Sequence, residues 1–170
     1  NINTQKEYVA KLDSQLEETI KSEKEKIEQN KVAVEKYNSH ILGLQNEIQK
    51  LKHTITDKDN INNKFDKMQN FQAQFQSKLT SCNKHKKFYE DNDNCPTCKQ
   101  VLSNKQVMIA DNNKEIMKWN QAIEDAQKEL RSLSNRIDKI RNIETDIRST
   151  EIDIAKFDQS KTELKIFFFF

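Results

Sequence analysis

Glu90-Asp91-Asn92-Asp93-Asn94-Cys95-Pro96-Thr97-Cys98-Lys99-Gln100 is the stretch that decides the fold. Asp and Asn are poor helix formers and good turn formers, so this run ends a helix. Pro96 fixes its own φ and holds Cys95 in extended geometry. It is the one proline in 170 residues, and Gly43 is the one glycine. An ordinary globular domain carries roughly 7 % Gly and 5 % Pro. With so few turn residues elsewhere, the chain on either side of this turn reads as long helix.

On each side of the turn the chain carries a seven-residue repeat. Before the turn, Ile20, Ile27, Val34, Ile41, Ile48 and Ile55 stand seven apart. Val9, Leu16, Tyr37, Leu44, Leu51 and Phe65 follow a second row offset by three. β-Branched residues in one row and Leu in the other match the a and d positions of a coiled coil. Glu23 and Asn30 weaken the second row, as does the Asp57-Lys58-Asp59-Asn60 run. The stripe then changes phase to Ile61, Phe65, Met68, Phe75, Leu79 and Cys82. Such a shift disturbs supercoiling, and the softest part of this helix is expected near residues 56–63. After the turn, Ile109, Ile116, Ile123, Leu130 and Ile137 form one row. Trp119, Ala126, Leu133, Ile140, Ile147 and Ile154 form the other, and the stripe runs on through Phe157 and Leu164. Ser103 with Gln106 makes an S-x-x-Q capping box that suits the start of the second helix.

If the two sides fold back on each other, facing residues share a constant sum of residue numbers. Phe75 with Trp119, Phe71 with Ile123, Met68 with Ala126 and Tyr37 with Phe157 give 194. Phe65 with Leu130, Ile55 with Ile140, Ile48 with Ile147 and Ile41 with Ile154 give 195. Half of that sum falls inside Cys95–Cys98, so the C-x-x-C is the expected reversal point. The fold expected is all-α: a long antiparallel intramolecular coiled-coil hairpin with the C-x-x-C turn at its apex. Its parts are a first arm over 1–89, the turn over 90–102 and a second arm over 103–170. At 1.5 Å per residue the paired arms would span roughly 100 Å. The first 23 residues or so have no partner in this register.

Composition excludes several function classes. Charged residues make up 33 % and apolar residues 34 %, which suits a thin rod with narrow buried stripes better than a compact core. A net charge of +2 gives no electrostatic footprint for nucleic acid. No run of 18 apolar residues occurs, so no membrane span is expected. No signal peptide is visible. Three cysteines, two of them close in sequence, make no disulfide framework and point to a reducing cytoplasm. The chain starts at Asn1 without Met and ends on Phe167-Phe168-Phe169-Phe170, which reads as a piece of a longer protein. The Phe run carries no functional reading.

The turn carries the chemistry. A structural zinc ion takes four ligands in a tetrahedron. This chain supplies Cys95 and Cys98 and has no second C-x-x-C. Cys82 lies 13 residues earlier, roughly 20 Å along a helix, and falls on the apolar stripe as a small core residue. Three readings remain. Cys95 and Cys98 of two chains share one zinc, or the pair is a redox dithiol, or the turn is a plain reversal in a metal-free scaffold. His85 is not needed as a ligand, and His40 and His53 read as surface residues. Trp119 with Phe65, Phe71 and Phe75 reads as packing. Lys84, Lys86, Lys87 and Lys99 read as a solvated face. Phe88, Tyr89, Val101 and Leu102 flank the cysteines and offer a small apolar interface beside the metal.

The Cys95-Pro96-Thr97-Cys98 turn between two heptad arms of opposite direction resembles the zinc hook of the SMC-like ATPase that partners a nuclease in DNA double-strand-break repair. The resemblance covers the hook closely and the arms as generic coiled coil. It implies that Cys95 and Cys98 are zinc ligands, that Pro96 shapes the turn, and that two hooks share one zinc in a homodimer. It also implies a parent protein with an ATPase head, a nuclease partner and a role in DNA recombination and repair. No G-x-x-x-x-G-K-[ST] phosphate loop occurs here, so this segment is not expected to be an enzyme by itself. The Asn-, Lys- and Ile-rich composition suits a bacteriophage version, acting in the host cytoplasm.

Overall fold

A computed structural model describes residues 2–166, and the terminal Phe run lies outside the described residues. The chain is all-α. Helix α1 covers Ile2–Thr54 (53 residues), α2 covers Lys58–Asp91 (34 residues) and α3 covers Lys105–Ile166 (62 residues). Among the described residues there is no strand, only an isolated antiparallel bridge between Asn94 and Val101. No described helix is long and apolar enough to cross a membrane.

The chain divides into two compact units, Asn1–Thr54 with Ile143–Phe170, and Ile55–Asn142. In the first, α1 and the later part of α3 bury Ile41, Ile48 and Ile147, at 7 %, 5 % and 6 % exposure. The Tyr37 and Phe157 ring centroids lie 5.8 Å apart, and the His40 ring meets Phe157 edge-on at 4.5 Å. His40 is therefore exposed but not idle: it covers the Phe157 ring. Residues 2–29 of α1 are exposed throughout, including Val9, Leu16 and Ile20.

In the second unit, α2 packs on the earlier part of α3. Ala126, Leu133 and Ile140 are buried. Each buried Leu or Ile contributes about 1.5–3 kcal/mol relative to an exposed one. Phe75 stacks on Trp119 with centroids 5.7 Å apart, and the Lys118 ammonium sits 4.9 Å from the Trp119 ring centroid. Apart from Lys58 and Asn62 in its first turns, the half-buried positions of α2 are 61, 65, 68, 72, 75, 79, 82, 86 and 89. That alternation of four and three is a coiled-coil spacing. It corrects one detail of the sequence reading. Gln72 holds the inward position, whereas Phe71 is 47 % exposed and stacks on Phe75 at 6.3 Å. Lys86 also lies on the stripe, half-buried and 3.6 Å from Glu90, so it is not part of a solvated face.

Two further corrections concern helix ends. The first arm is not one helix, because residues 55–57 form a turn between α1 and α2. Of the region 56–63, where a discontinuity was expected, only residues 56 and 57 lie in this turn, and from Lys58 onward the chain is helical. Helix α3 begins at Lys105, two residues past Ser103. The Met108 N–H donates to the Asn104 carbonyl at 3.0 Å, so the chain enters the helix at Asn104 and the Ser103–Gln106 capping box is not its start.

Candidate metal centre

The turn joining α2 to α3 is built mostly from its own backbone. Helix α2 stops where Asn92 turns to extended geometry, φ −131° and ψ 130°, and the Asn92 side-chain amide donates back to the Phe88 carbonyl at 2.8 Å. Asx side chains make such local bonds readily, which is why they end helices. The two chain directions then pair. Leu102 N–H donates to Asp93 O at 2.9 Å, and Cys95 N–H donates to Gln100 O at 2.8 Å. Inside this ladder Lys99 N–H donates to Cys95 O at 2.9 Å. The Cys95–Cys98 segment is thus a tight loop closed at its neck.

Closing the loop forces Lys99 to a φ of 62°, in the left-handed region. Glycine is the residue that takes this conformation without a Cβ penalty. The Lys105 ammonium braces the base of the turn, 2.8 Å from Asp93 Oδ1 and 3.4 Å from the Glu90 carbonyl. The Lys105 partnership holds the Asp93 carboxyl below its usual range, first by the hydrogen bond and then by the charge.

The two cysteines differ. Cys95 is half-buried and Cys98 exposed, and neither is in a disulfide. The Cys95 thiol is held below the ordinary thiol range. The largest cause is the backbone N–H of Cys98, followed by that of Thr97 and then by the Cys98 side chain. Hydrogen bonds to the charged form favour it, so this loop stabilises a thiolate at Cys95. The Cys98 thiol points its proton to Gln100 Oε1, with a sulfur–oxygen distance of 3.7 Å. Two thiols of this kind suit a soft or borderline cation such as zinc, with backbone N–H groups as outer support. Among the described residues, no group of three or more His, Cys, Asp or Glu side chains is placed to hold a metal ion.

The remaining residues singled out from sequence fall as follows. Cys82 is half-buried on the α2 stripe. His85 is exposed and lines a shallow groove with Phe88, Tyr89, Met108, Asp111 and Glu115. Of the apolar residues flanking the cysteines, Phe88 (37 %) and Val101 (74 %) are exposed, while Tyr89 and Leu102 are half-buried. Sequence reasoning missed Lys105, Gln100 and the backbone role of Lys99. Lys105 had a signal, a cation just past an Asp/Asn run. Lys99 had none, because lysine is not a residue whose presence signals a left-handed turn.

Comparison with protein-family models, with curated proteins and with solved structures finds no match to this chain.

Proposed function

We propose that this chain is a zinc-mediated dimerisation module: an antiparallel coiled-coil hairpin whose apical Cys95 and Cys98 form half of a four-cysteine zinc site. A second copy of the chain completes the site. The observation that carries this reading is the Cys98 and Thr97 N–H pair favouring a thiolate at Cys95 within a closed loop. A zinc ion would supply a fixed tetrahedral junction there. Two thiols per chain supply half of its ligands, and the described residues of one chain bring no third. Neither copy holds the ion well alone, so binding and association are one equilibrium. By the resemblance of the Cys95-Pro96-Thr97-Cys98 hook, the module belongs to an SMC-like ATPase that works with a nuclease on broken DNA. We place it in the cytoplasm, where thiols stay reduced.

The lowered Cys95 thiol also supports a second reading, a dithiol cycling with its disulfide. Metal analysis combined with sedimentation separates the two. The hook requires about half a zinc per chain and a doubling of mass that chelation reverses. A chain that binds no zinc, or whose association is unchanged by EDTA, defeats the zinc-linked reading.

A further inference from the structure

Residues 55–57 interrupt the helices although neither proline nor glycine stands there; Pro96 and Gly43 are elsewhere. Sharp helix irregularities usually trace to such residues, so another cause must hold this one. Asp57 occupies the N-cap position of α2, with φ −84° and ψ 0°, yet its side chain makes no capping hydrogen bond. An N-cap Asp ordinarily accepts from a backbone N–H of the first turn. Here both carboxylate oxygens are taken by Arg136 of α3. Nε donates to Oδ2 at 2.9 Å and Nη2 to Oδ1 at 2.7 Å. The backbone still closes around the same residue: Ile61 N–H donates to Asp57 O at 2.9 Å, and Lys58 N–H to Ile55 O at 3.1 Å.

One carboxylate therefore has two competing uses, a local cap and a partner 79 residues away. A forked Arg–carboxylate pair is directional as well as charged. The Arg136 and Asp57 side chains are 32 % and 39 % exposed. Opening the pair strands no buried charge, so both states are accessible. We propose that Asp57 and Arg136 form a latch: closed, it pins the interruption at 55–57 onto α3; open, it returns the carboxylate to the first turn of α2 and frees the interruption to move. The latch is independent of the zinc reading, since it uses none of the apical residues.

The test is amide hydrogen exchange on the full chain and on a Cys95→Ser, Cys98→Ser chain, each with and without Arg136→Gln. In both backgrounds Arg136→Gln raises exchange of peptides covering 55–62 by about five- to tenfold and leaves those covering 72–82 unchanged. Raising salt from about 0.05 to 1 M loosens the same peptides in the parent chain and not in the variant. Unchanged exchange at 55–62 in the variant overturns the latch. So does a uniform rise over all of α2, which would mark a packing loss, or a salt response that survives Arg136→Gln.

Discussion

The turn at 92–104 and the interruption at 55–57 both stop a helix, and they do so by opposite means. The first is held by its own backbone, through the Cys95–Gln100, Lys99–Cys95 and Leu102–Asp93 hydrogen bonds and the short-range Lys105–Asp93 brace. The second has local backbone bonds at Ile55 and Asp57 as well, but its N-cap carboxylate is committed to Arg136, 79 residues away. A locally built turn survives on its own and can present ligands in fixed positions. A turn held at a distance opens when its partner lets go. On the reading proposed above, the turn at 92–104 is suited to linkage and the interruption to movement.

The largest expected effect separates the two directly. Cys95→Ser with Cys98→Ser should weaken zinc-dependent association by at least about 100-fold. Helix content by circular dichroism should stay at the parent level, because the loop is closed by backbone bonds rather than by sulfur. Arg136→Gln should leave that association untouched. Sedimentation of the three chains with zinc checks both halves. An Arg136→Gln chain that also loses association would show that the two regions are not separate devices.

A smaller effect is a difference in acid sensitivity. The Cys98 and Thr97 N–H groups hold the Cys95 thiol below its ordinary range, so its thiolate persists to lower pH than that of a free thiol. Zinc still competes with protons, and linkage should fall as pH drops from about 7 to 5. The hydrogen bond and charge of Arg136 hold the Asp57 carboxyl below its usual range. A depressed carboxyl contributes stability above its unfolded value and loses it as pH falls through the folded one. The latch should therefore hold through the loss of linkage and open only below about pH 4. Amide chemical shifts at 55–61, followed beside sedimentation, should show two separate transitions. A single shared transition would tie the interruption to the C-x-x-C turn.

The same contrast explains what the sequence made legible. The register of 194–195 pairs Phe75 with Trp119 and Tyr37 with Phe157, and those rings meet. Among the described residues, the six buried ones, Ile41, Ile48, Ala126, Leu133, Ile140 and Ile147, stand on the heptad rows. Repeats of period seven report a buried stripe because burial is what selects it. The Asp/Asn run and Pro96 marked the turn, since those residues act on their own backbone. Arg136 was invisible by the same logic: nothing local distinguishes it, and only the folded chain brings it to Asp57. The exchange of Phe71 for Gln72 on the inner face was missed because a large aromatic outweighed a spacing of four and three. That Phe71 still covers Phe75 from the flank shows how an exposed aromatic can serve a core it does not enter.

The smallest effect tests how locally the C-x-x-C turn is built. Lys99 holds a φ of 62°, where a Cβ crowds the backbone at a cost of about 1 kcal/mol or somewhat more. Lys99→Gly relieves that crowding and adds freedom to the unfolded loop, and the two oppose each other. The net stabilisation should be below about 1 kcal/mol, which corresponds to no more than about fivefold slower exchange of the Cys95 and Lys99 amides. The ion pair between Lys105 and Asp93 lies at the neck and is unaffected, so the gain should be confined to the loop. Lys99→Ala keeps the Cβ and should show no gain. If alanine slows exchange as much as glycine, the left-handed backbone is not the source, and the lysine side chain is what loosens the loop.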